Sequence, residues 1–500
     1  MSSPVPKTGD DFTIEQWMEL GKVFESQVLN FQELACMQRV LEKEPYHWQA
    51  RYRELVVLFW IRHEGQLPEI FDRFFSDLYA HRDQMPLDVF HACNLNALCM
   101  YLFYVYSMPE ASDRDVLAYY AQKADLRAAP WQKKLTAKDR LRIGYMGREF
   151  ERGSCMQILL PFLENHTGRV EVHIYDDSWS EIPRHRIREL GDKVIWHNTS
   201  EVPNPELIEQ IRKDKIDVLV DVAGPTFLIR NEVFYSRSAP VQVGGMGFVF
   251  SSAKALDYCL TDPVLTPPEV AAYYPEPVKY LPTIFQWKLP KEHERQHPDN
   301  EQLVLGASHT LNKLNAPLLA IWAELIRRLP GAILYIKTGR FSDPATRDMY
   351  IALFKHHGIP EAQLRLEGYL SQHEHLPYFY NQIDIALDSF PYQGAITTCD
   401  ALFMGVPVVS LRTPQWQGRA LGATILDHVG LSEWVARDVE DYYHIVLKLA
   451  RDKARRRALR FSLRDTLKNS IVCQPERYTR VLEDAYFEMY EDTRRAQNDA

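Results

Sequence analysis

Short apolar runs alternate with helical patterns from residue 140 to residue 410, and this alternation constrains the fold more than any other feature. Runs suited to strands lie at 140–147, 171–175, 193–196, 216–222, 303–307, 332–336 and 364–366. Segments with helical periodicity separate them, at 157–165, 187–190, 204–213, 316–329 and 345–357. Strands that alternate with helices form a parallel sheet covered on both faces. The sequence therefore predicts an α/β fold built from two such units.

The stretch 383–410 reads as strand, loop, helix and strand. It opens with a short apolar run, which the loop containing Gly394 ends. Thr397, Thr398 and Asp400 then begin a helical segment. This order predicts a helix start at the carboxyl end of a buried parallel strand, where open α/β sheets bind their ligands.

A helix start at that position is suited to an anion. Its first backbone N–H groups have no partner within the helix, and the positive end of the helix dipole faces the ligand. The hydroxyls of Thr397 and Thr398 add donors, and the Asp400 carboxylate can accept a hydrogen bond from a ribose hydroxyl. Spacing alone favours a plainer interpretation, in which Thr397 caps the helix and Asp400 complements its dipole.

The short motifs in this stretch, and their order, favour the ligand-binding interpretation. The blocks Ser-Phe-Pro-Tyr at 389–392, Thr-Thr-Cys-Asp at 397–400 and Leu-Phe-Met-Gly-Val-Pro at 402–407 occur in this order around Gly394. They resemble the nucleotide-sugar site of the O-linked N-acetylglucosaminyltransferase and SPINDLY family of protein glycosyltransferases, with the SPINDLY branch nearest. The resemblance extends over roughly residues 140–490. It implies a GT-B architecture of two Rossmann-like lobes.

Two further stretches carry candidate site residues. The segment 308–315 follows a predicted strand and contains Thr310 and Lys313. By resemblance, Lys313 aligns with the family's essential lysine, which contacts the donor diphosphate; otherwise it is an ordinary exposed lysine. The segment 368–375 follows another strand and contains Leu370 and His375. The resemblance places the nucleobase against backbone here, with His373 or His375 approaching the phosphates; the alternative is an exposed histidine at a helix start.

Lys313 is the candidate catalytic residue. The nucleotide-sugar-binding candidates share a position just after a predicted strand or at a helix start: Thr310, Leu370, His375, Gly394, Thr397, Thr398 and Asp400. Charge develops on the leaving diphosphate, so a fixed cation there stabilises the transition state more than the ground state. Asp384 and Asp388 do not form the Asp-x-Asp pair that holds a metal in GT-A enzymes. We therefore predict a metal-free site with no cofactor.

The first lobe departs from the family pattern in two places. Family members often have a histidine shortly after the first strand, where this chain has Gly153, and Asp217 stands at another frequent histidine position. No general base can be carried over. Glu149, Glu151 or Asp217 can accept the acceptor's proton, although Asp217 is equally suited to being a hydrogen-bonded structural carboxylate.

Residues 1–130 are predicted to form an all-α domain, because apolar residues recur there at helical spacing. The predicted helices cover 12–29, 31–44, 48–62, 67–81, 87–106 and 114–126. Residues 35–50 resemble one tetratricopeptide hinge, without a clean 34-residue period. The other predicted domains are a first lobe at 138–290, a second, nucleotide-sugar-binding lobe at 300–475 and a terminal helix at 476–500 that packs toward the first lobe.

Composition limits the partners and the compartment. A net charge of −9 argues against a nucleic-acid-binding protein. The seven cysteines include no Cys-x-x-Cys pair, so they indicate neither a zinc site nor a disulfide framework, and a reducing cytoplasm fits best. No apolar run is long enough to span a bilayer, and the polar N-terminus is no signal peptide.

The predicted function is inverting, metal-independent transfer of one sugar to a protein side chain. The first expectation is N-acetylglucosamine from a UDP donor onto Ser or Thr, with the helical domain selecting the protein acceptor. The alternatives are fucose from a GDP donor, which is the less favoured nucleotide, and glucose transfer to Asn. Two other functions remain as alternatives: a catalytically dead module that binds a partner, and a sugar-nucleotide epimerase.

Overall fold

A computed structural model describes residues 12–499 except 62–66, 87–88, 91–92, 94–96, 98–99, 101–130, 148–149, 151–153, 179–186, 223–229, 247–254, 273, 275, 291–292, 296–301, 371 and 413–419. The predicted helix at 114–126 lies outside this part of the chain, and most of the one at 87–106 does as well. Glu149, Glu151 and Gly153 also lie outside it.

Four helices come first in the described part of the chain, as the apolar spacing predicts. They are α1 (Ile14–Ser26), α2 (Asn30–Lys43), α3 (Trp48–Ile61) and α4 (Leu67–Ala80), of which α1, α2 and α4 are amphipathic. Thr13 caps α1: its hydroxyl accepts from the N–H of Gln16, whose side chain accepts from the N–H of Thr13 in return. Their buried face includes Trp17, Cys36 and Met37. The resemblance of this region to a tetratricopeptide hinge stays a prediction.

The first sheet has seven parallel strands in the order β3-β2-β1-β4-β5-β6-β7. The strands are β1 (Leu141–Gly147), β2 (Val170–Asp176), β3 (Val194–Asn198), β4 (Val218–Asp221), β5 (Val241–Gly244), β6 (Tyr258–Thr261) and β7 (Val278–Tyr280). The helices between them are α5 (Ser154–Asn165), α6 (Asn204–Lys213), α7 (Asn231–Tyr235) and α8 (Pro268–Ala271). The predicted strand–helix alternation is confirmed in this half.

The second sheet has six parallel strands in the order β10-β9-β8-β11-β12-β13. The strands are β8 (Val304–Ser308), β9 (Ile333–Lys337), β10 (Leu364–Glu367), β11 (Ile385–Leu387), β12 (Val408–Leu411) and β13 (Val435–Ala436). The remaining helices are α9 (Ala316–Arg328), α10 (Pro344–His356), α11 (Gln372–Tyr380), α12 (Ile396–Phe403), α13 (Leu421–Val429), α14 (Val439–Arg451), α15 (Lys453–Lys468) and α16 (Pro475–Asp499). The strand order reverses between β8 and β11, which makes that junction the switch point of this sheet.

The chain divides into two compact units. One contains residues 1–81, 292–412 and 433–464, and the other contains residues 82–291, 413–432 and 465–500. The predicted domain boundaries themselves stay predictions. The first of these units contains α1–α4 together with the second sheet. Asn30 donates to Thr346 at 3.1 Å and accepts from Arg340. The Arg340 guanidinium also lies 4.9 Å from the ring centre of Trp60.

The terminal helix α16 belongs to the unit of the first sheet, as the resemblance implies. The hydroxyls of Tyr145 on β1 and Tyr486 on α16 lie 2.8 Å apart in the core. The buried carboxylate of Glu483 accepts from the N–H and the hydroxyl of Thr167 at 2.6 and 2.8 Å. The prediction that this helix packs on the first lobe is confirmed.

Helix α15 anchors the second sheet with buried arginines at four-residue spacing. Arg460 is 2% exposed and donates to the backbone carbonyls of Tyr380, Ile383 and Met404 at 2.6–3.0 Å. These carbonyls belong to the segments that end α11, precede β11 and end α12. One guanidinium therefore joins three of the segments that frame the switch point.

Within the described residues, none of the helices combines the length and apolarity that crossing a bilayer requires.

Candidate functional site

A small cavity lies at the switch point of the second sheet. Its walls come from the ends of β8 and β11 and from helices α11 and α12: Gly306, Ser308, His309, Phe379, Tyr380, Ala386, Leu387, Asp388, Thr397, Thr398 and Val408. The sequence places its candidates at these strand ends. The structure brings Thr397 and Thr398 into one wall with the residues that follow β8 and β11.

Lys313 stands in a short 3₁₀ turn, Leu311–Lys313, just after β8. Its Nζ donates to the carbonyl of Gln393 at 2.8 Å and lies 4.0 Å from the ring centre of Tyr392. Burial lowers the pKa of this lysine to about 8, and the nearby Asp388 carboxylate opposes the shift. Lys313 is therefore a fixed cation held against the loop before α12, and the alternative of an ordinary exposed lysine is wrong.

Asp388 organises that loop, although sequence reasoning did not include it among the site residues. Its carboxylate is buried and accepts from the N–H groups of Ser389 and Gly394 at 2.9 and 2.7 Å and from the Ser410 hydroxyl at 2.6 Å. Burial raises the pKa of Asp388 to about 6, against these hydrogen bonds and the charge of Lys313. The signal available in the sequence was an acidic residue directly after a buried strand.

Gly394 is required by close packing. A Cβ atom at this position would lie 2.4 Å from the hydroxyl oxygen of Thr397 and 3.1 Å from the Asp388 carboxylate. Any side chain would push apart the loop and the helix start. Gly394 therefore lets the loop approach α12 closely enough for Asp388 to hold it.

The start of α12 has open donors. The helix begins at Ile396, and its N-cap residue, Ala395, provides no side-chain hydrogen bond. The backbone N–H groups of Ile396 and Thr397 have no acceptor within the described part of the chain. The hydroxyl of Thr398 donates to the Gly394 carbonyl at 3.3 Å. The interpretation of Thr397 as a helix cap is therefore wrong, and the open donors suit an anion.

Asp400 lies one turn into α12 and is half-buried. Its carboxyl group makes no hydrogen bond or ion pair with any residue that the structure describes. Burial raises its pKa to about 8. A carboxyl group that is buried and lacks a protein donor has its hydrogen-bonding capacity available for a ligand hydroxyl.

The sequence predicts a ribose hydroxyl at Asp400. Replacing Asp400 with asparagine is therefore expected to weaken UDP binding by about 1–3 kcal/mol, because only one of the two carboxyl oxygens remains as an acceptor. Calorimetric titration with UDP measures the difference. Asp348→Asn, on the exposed surface of α10, is the matched control. Equal affinities for wild type and Asp400→Asn would remove Asp400 from the site.

His375 lies on α11 and faces the end of β8. Its Nε2 is 3.5 Å from the Ser308 hydroxyl, and its ring stacks on Phe379 with the centroids 5.5 Å apart. Burial and the charge of Lys337 lower its pKa to about 3, so the imidazole is neutral. Its buried Nδ1 has no hydrogen-bond partner among the described residues. The alternative of an exposed helix-start histidine is wrong.

Thr310 and Leu370 are the candidates with the least structural support. Thr310 is exposed, and its hydroxyl donates to the side chain of Asn312 at 2.5 Å. Leu370 is half-buried after the turn at Gly368, which packs tightly against Ser342. Of the eight predicted site residues, Thr397 and Thr398 line the cavity at the switch point, and the other six do not. The side chain of His373 lies outside the described residues.

Two further basic residues stand at these strand ends and were not predicted. His309 is buried, and its Nε2 lies 3.0 Å from the Leu387 carbonyl. Burial and the charge of Lys313 lower its pKa to about 3. Lys337 ends β9, is 8% exposed and has a pKa lowered by burial. The sequence showed Lys337 only as a polar residue after a predicted strand.

Asp217 does not belong to a ligand site. It precedes β4 at the amino end of the strand, whereas parallel sheets bind ligands at the carboxyl ends. Its carboxylate is buried, pairs with Lys138 at 2.6 Å and accepts from the N–H of Arg142 at 2.9 Å. These contacts support the structural interpretation and argue against Asp217 as a general base.

Two Rossmann-like sheets define the GT-B class of fold, as the sequence predicts. The helices α1–α4 precede them in this chain. A model of glycosyl transferase family 41 matches residues 122–288 and 289–482. The chain belongs to this family.

Individual relatives agree with this assignment. A probable UDP-N-acetylglucosamine–peptide N-acetylglucosaminyltransferase SPINDLY from Oryza sativa subsp. japonica is 28% identical over 371 residues, which are 72% of this chain and 40% of the relative. The corresponding SEC protein from Arabidopsis thaliana is 26% identical over 369 residues, covering 70% and 37%. This chain therefore spans less than half the length of these relatives.

A solved structure of a Thermobaculum terrenum O-GlcNAc transferase mutant matches with a TM-score of 0.84 and 26% sequence identity. The match covers 97% of this chain and 92% of that chain, so it includes the N-terminal helices as well as both sheets. The order of the three parts is thus shared with a solved protein.

Proposed function

We propose that this chain is an inverting protein glycosyltransferase that moves N-acetylglucosamine from its UDP donor to Ser or Thr side chains without a metal ion. The observation that carries the proposal is that Lys313 is held against the loop leading into the open helix start at Ile396 and Thr397. A cation and unpartnered N–H groups there suit the diphosphate of a nucleotide sugar. The two relatives are named as transferases from UDP-N-acetylglucosamine to peptide, and we take the donor and the acceptor class from them.

The proposed reaction is a single displacement. The acceptor oxygen forms a bond to the anomeric carbon as the bond from that carbon to the diphosphate oxygen breaks. The diphosphate keeps the electron pair, and the hydroxyl proton passes to a base. Lys313 has three N–H donors, of which one is committed to the Gln393 carbonyl. The others can stabilise the leaving diphosphate as its negative charge grows.

The remaining groups would bind the nucleoside. Asp400 would accept from the ribose hydroxyls, and the neutral imidazole of His375 offers a buried nitrogen near the end of β8. Leu370 and Thr310 would contribute at the rim. The N-terminal helices would select the protein acceptor. The seven cysteines of the sequence include no Cys-x-x-Cys pair, which suits a reducing cytoplasm, and we propose the cytoplasm as the compartment.

A transfer assay tests the proposal. Purified chain is given UDP-N-acetylglucosamine with and without a lysate of deglycosylated proteins, and both UDP release and protein-bound sugar are measured. The proposal predicts both, with release accelerated by acceptor. Transfer from GDP-fucose instead, or glucose found on Asn, would contradict the proposed donor or acceptor. Binding of UDP without any hydrolysis or transfer would identify a catalytically dead module, and a free-sugar product an epimerase.

Chelation is expected to leave turnover unchanged. The proposed site neutralises the diphosphate with Lys313 and helix donors, and no carboxylate pair is assigned to a metal. The assay is run in excess EDTA and again after Mg²⁺ or Mn²⁺ is added. A known metal-dependent GT-A enzyme in parallel shows that chelation is complete. Loss of turnover in EDTA, with recovery when Mg²⁺ or Mn²⁺ is added, would contradict the proposed metal independence.

A further inference from the structure

Two histidines and a carboxylate converge on one face of the first sheet, away from every residue assigned to the nucleotide sugar. His173 on β2 and His197 on β3 point to the same face, because Tyr175 pairs with His197 in the register and His173 is two residues before Tyr175. Asp214 follows the end of α6, which covers this face. One potential ligand atom from each residue lies within 4.8 Å of the others.

The separations of these atoms suit a metal centre. Nδ1 of His173 is 3.0 Å from Nε2 of His197, and that Nε2 is 3.7 Å from an Asp214 carboxylate oxygen. A tetrahedral zinc ion with bonds of about 2.0–2.2 Å holds its ligand atoms roughly 3.3–3.5 Å apart. A small widening of the histidine pair would therefore admit the ion.

A second carboxylate fixes the orientation of His173. Its Nε2 lies 3.2 Å from Glu171, whose carboxylate is also paired with Arg142 at 2.9 Å and Arg140 at 3.5 Å. Because Glu171 can only accept when ionised, Nε2 carries the proton and the lone pair of Nδ1 points into the cluster. An outer carboxylate that orients a histidine in this way is a common feature of zinc sites.

The other two ligands are also held in place. Asp214 accepts from the Tyr175 hydroxyl at 2.8 Å and from the Gln210 amide at 2.9 and 3.0 Å. The ring of His197 is stacked between those of His173 and Tyr175, with interplanar angles of 8° and 9°.

We propose that His173, His197 and Asp214 bind one Zn²⁺ ion, with water in the fourth position. The side chains of His197 and Asp214 are 20% and 15% exposed, so the ion has a route from solvent. Without metal, His197 donates its Nε2 proton to His173. When the ion binds, that proton moves to Nδ1 of His197, and the lone pair left on Nε2 coordinates the ion. The site links the edge strand β3 to β2 and to the end of α6, so a bound ion is expected to stabilise this part of the first sheet. This inference does not rest on the proposed transferase function.

Zinc titration of the full chain tests the inference. Protein stripped of metal with EDTA and then freed of the chelator is titrated with Zn²⁺ by calorimetry, and its melting temperature is followed. We expect one equivalent bound at the cluster and a rise in melting temperature. Mg²⁺ should give neither, because it prefers oxygen ligands. Similar responses to Zn²⁺ and Mg²⁺ would overturn the inference.

Variants locate the ion. His197→Ala should abolish the strongest binding event, and Glu171→Ala should weaken it by about 10–100-fold, as expected for a group that orients a ligand. Asp214→Asn keeps a side chain of the same shape and should weaken it at least tenfold, which gives a second reading if His197→Ala fails to fold. His356→Ala, at an exposed histidine of α10, is the matched control. Wild-type zinc affinity in Asp214→Asn or loss of binding in the control would place the ion elsewhere.

Discussion

Replacing Lys313 with alanine is expected to lower kcat for sugar transfer by about 10²–10³-fold, because it removes a preorganised donor from the developing anion. Nucleotide affinity should fall much less, since the helix start and Asp400 would still bind UDP. Measuring kcat beside the dissociation constant of UDP separates transition-state stabilisation from simple binding. Lys355→Ala, at an exposed lysine of α10, is the control and should keep wild-type kcat.

A kcat near the wild-type value in Lys313→Ala would mean that another group carries the charge, with Lys337 as the next cation at these strand ends. Lys313→Arg should also be slow, because a planar guanidinium cannot occupy the place of a compact ammonium between the Gln393 carbonyl and the Tyr392 ring. Fast turnover by the arginine variant would show that charge alone is sufficient.

The pKa of Lys313 gives a second check on the same claim. The pKa is lowered to about 8 in the free protein, so the ammonium is present below that pH and is lost above it. The profile of kcat/KM, which reports the free enzyme, should therefore fall as the pH rises through about 8. The limb in kcat should lie at higher pH, because a bound diphosphate favours the charged lysine. A flat kcat/KM profile between pH 7 and about pH 9 would contradict this.

Replacing Arg460 with alanine is expected to lower the free energy of unfolding by about 3 kcal/mol or more. The change leaves three buried carbonyls without a donor, and each orphaned acceptor costs about 1–3 kcal/mol. Urea denaturation followed by circular dichroism measures the loss. Arg457→Ala, at an exposed arginine of the same helix, should cost far less. Equal stability of the two variants would show that the carbonyls find other donors.

The parallel sheets were predictable because their evidence is local. Apolar runs, helical spacing and turn residues recur in order, and the predicted helix start at Thr397 differs from the observed start at Ile396 by one residue. These predictions need only the residues on either side. Lys313 was singled out by the family resemblance instead, because its place a few residues after β8 fits an ordinary exposed lysine equally well.

Other features depend on contacts between distant residues, which no local pattern encodes. Asp388 holds its loop through Ser410 on the neighbouring strand, and Arg460 joins carbonyls that lie 56–80 residues away. The hydrogen bond between Asn30 and Thr346, which joins α2 to α10 within one unit, spans 316 residues. Asp217 shows the same limit: the predicted strand at 216–222 already put it near the amino end, but its contacts with Lys138 and Arg142, 79 and 75 residues away, were not visible.

Calorimetric titration of the chain with UDP in the presence of EDTA tests the central claim most directly. The proposed transferase function depends on a nucleoside diphosphate binding at the switch point of the second sheet. The account predicts saturable binding of one UDP per chain without metal, tighter than that of GDP, and weakened at least tenfold when Asp400→Asn and Lys313→Ala are combined. Two results would contradict this prediction. One is a folded wild-type chain that gives no binding heat with either nucleotide, and the other is a double variant that binds UDP as tightly as wild type.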